Sequence, residues 1–141
     1  MRSIVFSDLD GTLINSAYEI TPKTLEAIRT LQEQEFPFVV VSARSPMGIE
    51  SVIKAYGIRC PIIALNRALI LDEQRRPIYT KGIRKSKAAV IVDFLEQGGY
   101  DTTWCVYAFD QWLVKGVSDP RIVNEASIVK TVAKAGEVRD V

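Results

Sequence analysis

The apolar positions of this chain follow two rhythms. From residue 1 to 71, short apolar runs alternate with stretches in which apolar residues return every three or four positions. Ile4-Val5-Phe6 is the first run. After Asn15 and Ser16, Thr21 offers an N-cap and Pro22 takes the first helical position, where a missing N–H costs nothing. Leu25, Ile28 and Leu31 then mark one helical face. Phe36 to Val41 is an apolar run broken only by Pro37, as expected of a parallel strand covered on both faces. Ser45-Pro46 repeats the start signal. Ile49, Val52, Ile53 and Tyr56 supply the next helical face, and Gly57 ends it. Pro61 opens a third strand, Ile62-Ile63-Ala64-Leu65. The predicted order is βαβαβ, and its expected product is a parallel sheet with right-handed crossovers.

The second rhythm begins near residue 68. Ala68 to Leu71 and Pro77 to Thr80 flank a polar turn, Asp72 to Arg76, and predict a hairpin. Ser86 to Gln97 predicts a helix with Val90, Ile91, Phe94 and Leu95 as its buried face, ended by Gly98-Gly99. Thr102 to Phe109 and Trp112 to Val114 predict a second antiparallel pair, with Tyr107, Phe109 and Trp112 as packing aromatics. Residues 127–135 carry a weak helical pattern through Ile128, Val129, Val132 and Ala133. The expected fold class is α/β, a Rossmann-like parallel sheet over residues 1–74 followed by an α+β module over 75–141.

Composition narrows the function classes. A net charge of +1 gives no electrostatic case for nucleic acid or an anionic membrane. No apolar run approaches the ~20 residues of a membrane span. The N-terminal apolar block is too short for a signal peptide, so the cytoplasm is the expected setting. Histidine is absent, which removes Ser-His-Asp and Cys-His nucleophile systems and every His-ligated metal site. Cys60 and Cys105 have no metal-type spacing and sit beside apolar residues, so core packing is expected of both. Lys81, Arg84, Lys85 and Lys87 form a basic cluster, read as a solvated surface or as a lure for anions.

One stretch concentrates chemistry. Asp8-Leu9-Asp10-Gly11-Thr12-Leu13 follows the first strand directly. Where a strand gives way to a Gly-containing turn, both carboxylates can reach one site beside exposed backbone N–H groups. That combination can hold a hard divalent cation and a phosphoryl group, since Mg²⁺ takes one or two carboxylates plus waters and phosphate oxygens. Asp and Gly also punctuate ordinary turns; the whole string after an apolar strand is far more specific than the pair.

The string resembles the first motif of the haloacid dehalogenase (HAD) superfamily, Asp-x-Asp-Gly-Thr-Leu, and matches it completely. The resemblance implies Asp8 as nucleophile and Asp10 as general acid/base, Asp8 and Asp10 as Mg²⁺ ligands, and Gly11 and Thr12 as phosphate-binding. Val41-Ser42-Ala43-Arg44 resembles the second motif, with Ser42 on a phosphoryl oxygen and Arg44 on substrate phosphate. Ala43 stands where Gly is usual, which should stiffen the backbone. Leu65-Asn66-Arg67-Ala68 resembles the Asn-Gly-Ala of Cof-type, class IIB members, whose Asn lines the site; Arg67 replaces the Gly. A module after the third strand also fits class IIB, whose cap lies there. All these groups fall at carboxyl ends of predicted parallel strands, where open α/β sheets bind ligands.

The family's later lysine and acidic-loop motifs are not recognisable; Lys130, Lys134 and Asp140 are the only late candidates. The chain therefore resembles the front half of such a protein, and low activity is expected of it alone. In the family sheet the first strand is central, so here the resemblance implies an apolar edge at Ile4-Val5-Phe6 that invites self-association. The expected function is a Mg²⁺-dependent phosphatase of small phosphorylated metabolites working through an aspartyl-phosphate. The alternative is a non-catalytic descendant that binds phospholigands or a protein partner. A receiver-like domain would need Asp at position 66, where Asn stands.

Overall fold

The computed structural model describes residues 3–109 and 111–140, and for Asp140, a late candidate above, the backbone only. The chain divides into two compact units, Met1–Lys81 and Gly82–Val141. The division falls later than the expected break after residue 74, because the second strand of the hairpin stays with the first sheet.

The first unit is built around β1 (Val5–Asp8), β2 (Phe38–Val41), β3 (Ile62–Ala64), β4 (Leu69–Leu71) and β5 (Pro77–Thr80), in that spatial order. β1–β2 and β2–β3 are parallel; β3–β4 and β4–β5 are antiparallel. α1 (Pro22–Glu33) links β1 to β2, and α2 (Pro46–Ile53) links β2 to β3. Both helices start as their sequences direct. Thr21 Oγ1 accepts the N–H of Thr24, Ser45 Oγ accepts the N–H of Gly48, and a proline follows each cap. Gly57 closes the 3₁₀ turn after α2 at φ +69°, a conformation glycine takes without a Cβ penalty. The core joins Val40 and Ile62 of the central strands to Ile28 of α1 and Ile49 and Ile53 of α2.

Register sets the site. Asp8 lies opposite Val41, so β1 and β2 end together, and Ser42 N–H donates to Ile63 O at 2.9 Å. The residues following β1, β2 and β3 thus gather at one end of the sheet. β1 has β2 as its only partner among the described residues.

The second unit holds α3 (Lys85–Gln97), β6 (Cys105–Ala108), β7 (Gln111–Val114), α4 (Pro120–Val129) and β8 (Lys134–Ala135). β6 pairs antiparallel with β7, and β7 parallel with β8. Four expectations are corrected here. α3 buries Val92, with Ala88, Ala89 and Leu95 packed on Trp104, Leu113 and Val138, while Val90, Ile91 and Phe94 are exposed. The helix carries two apolar stripes, and the one containing two alanines is the one packed inward. The last helix spans 120–129 rather than 127–135: Asp119 caps it through the N–H of Arg121, Pro120 follows, and Lys130 ends it in the left-handed region. Trp112 is buried and stacks with Tyr107 at 5.6 Å, but Phe109 is exposed. Cys60 is buried as expected, whereas Cys105 is exposed.

Candidate active site

The loop after β1 is pinned from below. Leu9, Leu13 and Ile14 are buried, while Asp8 before them and Asp10, Gly11 and Thr12 between them are exposed. Leu13 N–H donates to the carbonyls of Asp8 and Leu9, and Ile14 N–H to that of Leu9 at 3.0 Å. Gly11 turns the chain at φ +75°, a conformation that strains any L-residue. Burying the alternate apolar residues is what presents both carboxylates to solvent on one short loop.

The two aspartates differ in surroundings. Among the described residues, the Asp8 carboxylate has no hydrogen-bond or ion-pair partner. The Asp10 carboxylate is gripped. Arg44 Nη2 donates to its Oδ1 at 2.6 Å and Arg44 Nε to its Oδ2 at 3.1 Å, a two-toothed fork. Ser42 Oγ donates to Asp10 Oδ2 at 3.4 Å and accepts the Arg44 N–H at 3.1 Å. Ser42 is buried, and the Arg44 side chain is only 8% exposed. The guanidinium carbon also lies 5.8 Å from the centroid of the Tyr18 ring, within cation–π range. Tyr18 reaches there from a left-handed position, φ +61°, in a turn organised by Asn15 Oδ1, which accepts the N–H groups of Ala17 and Glu19.

β3 ends in an unusual turn. Leu65, Asn66 and Arg67 have φ of 51°, 52° and 71°. Asn tolerates this region, but Leu and Arg each pay about 1–2 kcal/mol. Leu65 N–H donates to Arg44 O at 2.9 Å, which ties the turn to the Arg44 backbone. Asn66 and Arg67 are exposed. By contrast Ala43, the other departure from glycine, does not take a positive φ and carries no such strain.

The structure therefore brings Asp10, Ser42 and Arg44 into direct contact, with Asp8, Gly11 and Thr12 on the same loop and Asn66 one turn away. Sequence reasoning missed Tyr18, for which a lone tyrosine in a polar loop gives no signal. It also missed a charged knot elsewhere in the unit. Glu50 of α2 is ion-paired to Lys54 and to Arg75, and Arg75 donates further to the carbonyls of Cys60 and Asp72. Partial burial works to raise the Glu50 carboxyl, but the hydrogen bonds from Lys54 and Arg75 outweigh it and hold the group below the usual carboxylate value. In the second unit a cleft of about 420 Å³ is lined by charges already paired: Asp93 with Arg139, and Glu96 with Lys115 and the Trp104 indole. It offers no group comparable to Asp8.

Comparison with known proteins gives one answer. The profile of the haloacid dehalogenase-like hydrolase family matches residues 5–135. A putative phosphatase of Haemophilus influenzae is 41% identical over 80 residues, covering 57% of this chain and 30% of that protein. Phosphatase YwpJ of Bacillus subtilis is 31% identical over 97 residues, covering 69% and 34%. A haloacid dehalogenase-like hydrolase structure from Bacteroides thetaiotaomicron superposes with a TM-score of 0.84 at 21% identity, over 96% of this chain and 52% of that one. The chain thus spans about a third of these two relatives and about half of that structure.

Proposed function

The chain belongs to the haloacid dehalogenase-like hydrolase family, and from that premise we propose a Mg²⁺-dependent phosphomonoesterase of small phosphorylated metabolites in a cytoplasmic setting. The observation that carries this reading is the asymmetry of the two aspartates, one unpartnered and one gripped by Arg44 and Ser42. A nucleophile must be free to attack, whereas a proton carrier must be held in place. The phosphatases among the relatives support the same reaction class.

In this scheme an Asp8 oxygen forms a bond to phosphorus as the ester P–O bond breaks. The leaving oxygen takes a proton from Asp10, which the Arg44 fork holds as the carboxylate and which carries that proton only once the fork has opened. The Asp10 carboxylate then takes a proton from water, whose oxygen attacks phosphorus and releases Asp8. Alcohol and inorganic phosphate leave, and both side chains are restored. Ser42, Gly11 and Thr12 receive phosphate oxygens, and Asn66 lines the entrance. Arg44, with both teeth of its fork on Asp10, positions that group and reaches phosphate only by releasing it.

The exposed Asp8 carboxylate suits a hard cation, while Asp10 adds a side-chain oxygen only if the fork opens. Bound Mg²⁺ would offset phosphate charge. Among the described residues no trio of acidic or cysteine side chains forms a cation cluster, so the ion would rely on one or two carboxylates with waters and substrate phosphate. The second unit takes the role of the class IIB cap by resemblance.

Hydrolysis of a chromogenic phosphate ester with added Mg²⁺ tests the scheme. Asp8→Asn should abolish turnover, and Asp10→Asn should lower it about 10²–10⁴-fold. Turnover indifferent to Asp8→Asn refutes it.

Self-association through β1 is part of the proposal. Ile4 and Phe6 on this edge are 52% and 58% exposed, and an apolar edge recruits further strands. Light scattering should show dimers or larger species that Phe6→Lys reduces; a monodisperse monomer of the parent chain refutes it.

A further inference from the structure

The turn after β3 keeps an arginine where glycine would be easier. Arg67 sits at φ +71°, third in a run of left-handed residues, and glycine takes that conformation freely. Strain of this kind persists where a side chain is wanted for binding. Arg67 is exposed and, among the described residues, makes no ion pair. Its turn is bonded to the backbone of Arg44, so it stands at the same end of the sheet as the paired aspartates. Arg44 itself is committed to Asp10.

A second uncommitted cation comes to this end. Lys81 N–H donates to Ala68 O at 2.7 Å, because β5 runs back beside β4 and ends next to the turn. Lys81 is also exposed and without an ion-pair partner among the described residues. The same end of the sheet therefore carries two free positive groups, on the turn after β3 and at the end of β5, and, at the ends of β1 and β2, the site read as binding one phosphate.

We propose that Arg67 and Lys81 recognise a second anionic group on the substrate, so that the preferred ligands are phosphate esters bearing a further carboxylate or phosphate. The inference rests on the phosphatase reading of the site and adds a substrate class to it. Arg67 offers a fork that matches either group, and Lys81 a point charge.

Calorimetric titration of the full chain with Mg²⁺ at low salt tests it with matched ligands. 3-Phosphoglycerate and glycerol 3-phosphate differ by a carboxylate; fructose 1,6-bisphosphate and fructose 6-phosphate differ by a phosphate. In each pair the doubly anionic ligand should bind roughly tenfold tighter, the scale of two exposed charge contacts, and less so in high salt. Preference in one pair only identifies which second group is read. Arg67→Gly combined with Lys81→Ala should bring both ratios near one, and Arg67→Lys should restore part of the preference. Arg67→Gly should melt no lower than the parent, since glycine fits the φ. Equal affinities in both pairs, or a preference that survives the double variant, overturn the second-anion role while phosphate-ester binding persists. Failure of all four esters and of inorganic phosphate to bind overturns the phosphatase reading and the second-anion role with it.

Discussion

The two units use their apolar residues in opposite ways. In the first, Val40, Ile49, Ile53 and Ile62 are fully buried in one continuous core. In the second, the α3 core is small and Val90, Ile91 and Phe94 of that helix face solvent. Parallel strands flanked by crossover helices need apolar residues on both faces, which leaves the first unit little choice of packing. A helix with two apolar stripes on a three-stranded sheet has such a choice. The unit with the continuous core is also the one that carries the candidate site, and a site that must be held to a fraction of an ångström calls for such support.

The largest test of this contrast is core truncation. Ile62→Ala should cost about 2–5 kcal/mol, whereas Phe94→Ala in the exposed stripe should stay within about 0.5 kcal/mol. Both tryptophans, Trp104 and Trp112, lie in the second unit. In urea, the circular-dichroism transition of Ile62→Ala should therefore shift more than its tryptophan fluorescence. Coincident shifts would mean the units unfold as one.

A smaller effect comes from acid. The Glu50 carboxyl is depressed by Lys54 and Arg75, so it adds stability above its unfolded value of about 4.5, and this is lost as pH falls through the folded value. Glu50→Gln should flatten the acid limb of stability for the first unit below about pH 4.5, and an unchanged limb would remove the knot from the account. The smallest effect is an order of labelling. Burial pushes the Cys60 thiol up to about 11, and partial desolvation also raises that of Cys105, although this residue is exposed. A thiol reagent should modify Cys105 in the folded chain and Cys60 only on unfolding, which mass spectrometry reads directly.

What was legible follows the same division. The three parallel strands and the two helices between them are announced by apolar runs and by Thr21-Pro22 and Ser45-Pro46. Asp119-Pro120 gives the same signal for α4, yet the apolar pattern at 128–133 drew the expected helix too far along. Val132 is in fact exposed, beyond the left-handed stop at Lys130. Periodicity could not choose between the stripes of α3, because Ala88 and Ala89 weigh little on any hydrophobic scale though they allow the closest approach. At the site, residue types and spacing placed Asp8, Asp10 and Ser42 on one loop cluster. They could not show that Arg44 would turn to Asp10 or that Tyr18 would lie beside it, because those contacts depend on loop conformation and not on pattern.

The clasp of Arg75 reaches further than its own neighbourhood. It fastens the far tip of the β4–β5 hairpin to α2 and to the start of β3, while Lys81 and Ala68 fasten the near end. The ribbon is thus tethered at both ends, like a strap drawn taut, and the unfavourable twist at Leu65–Arg67 has no slack into which to relax.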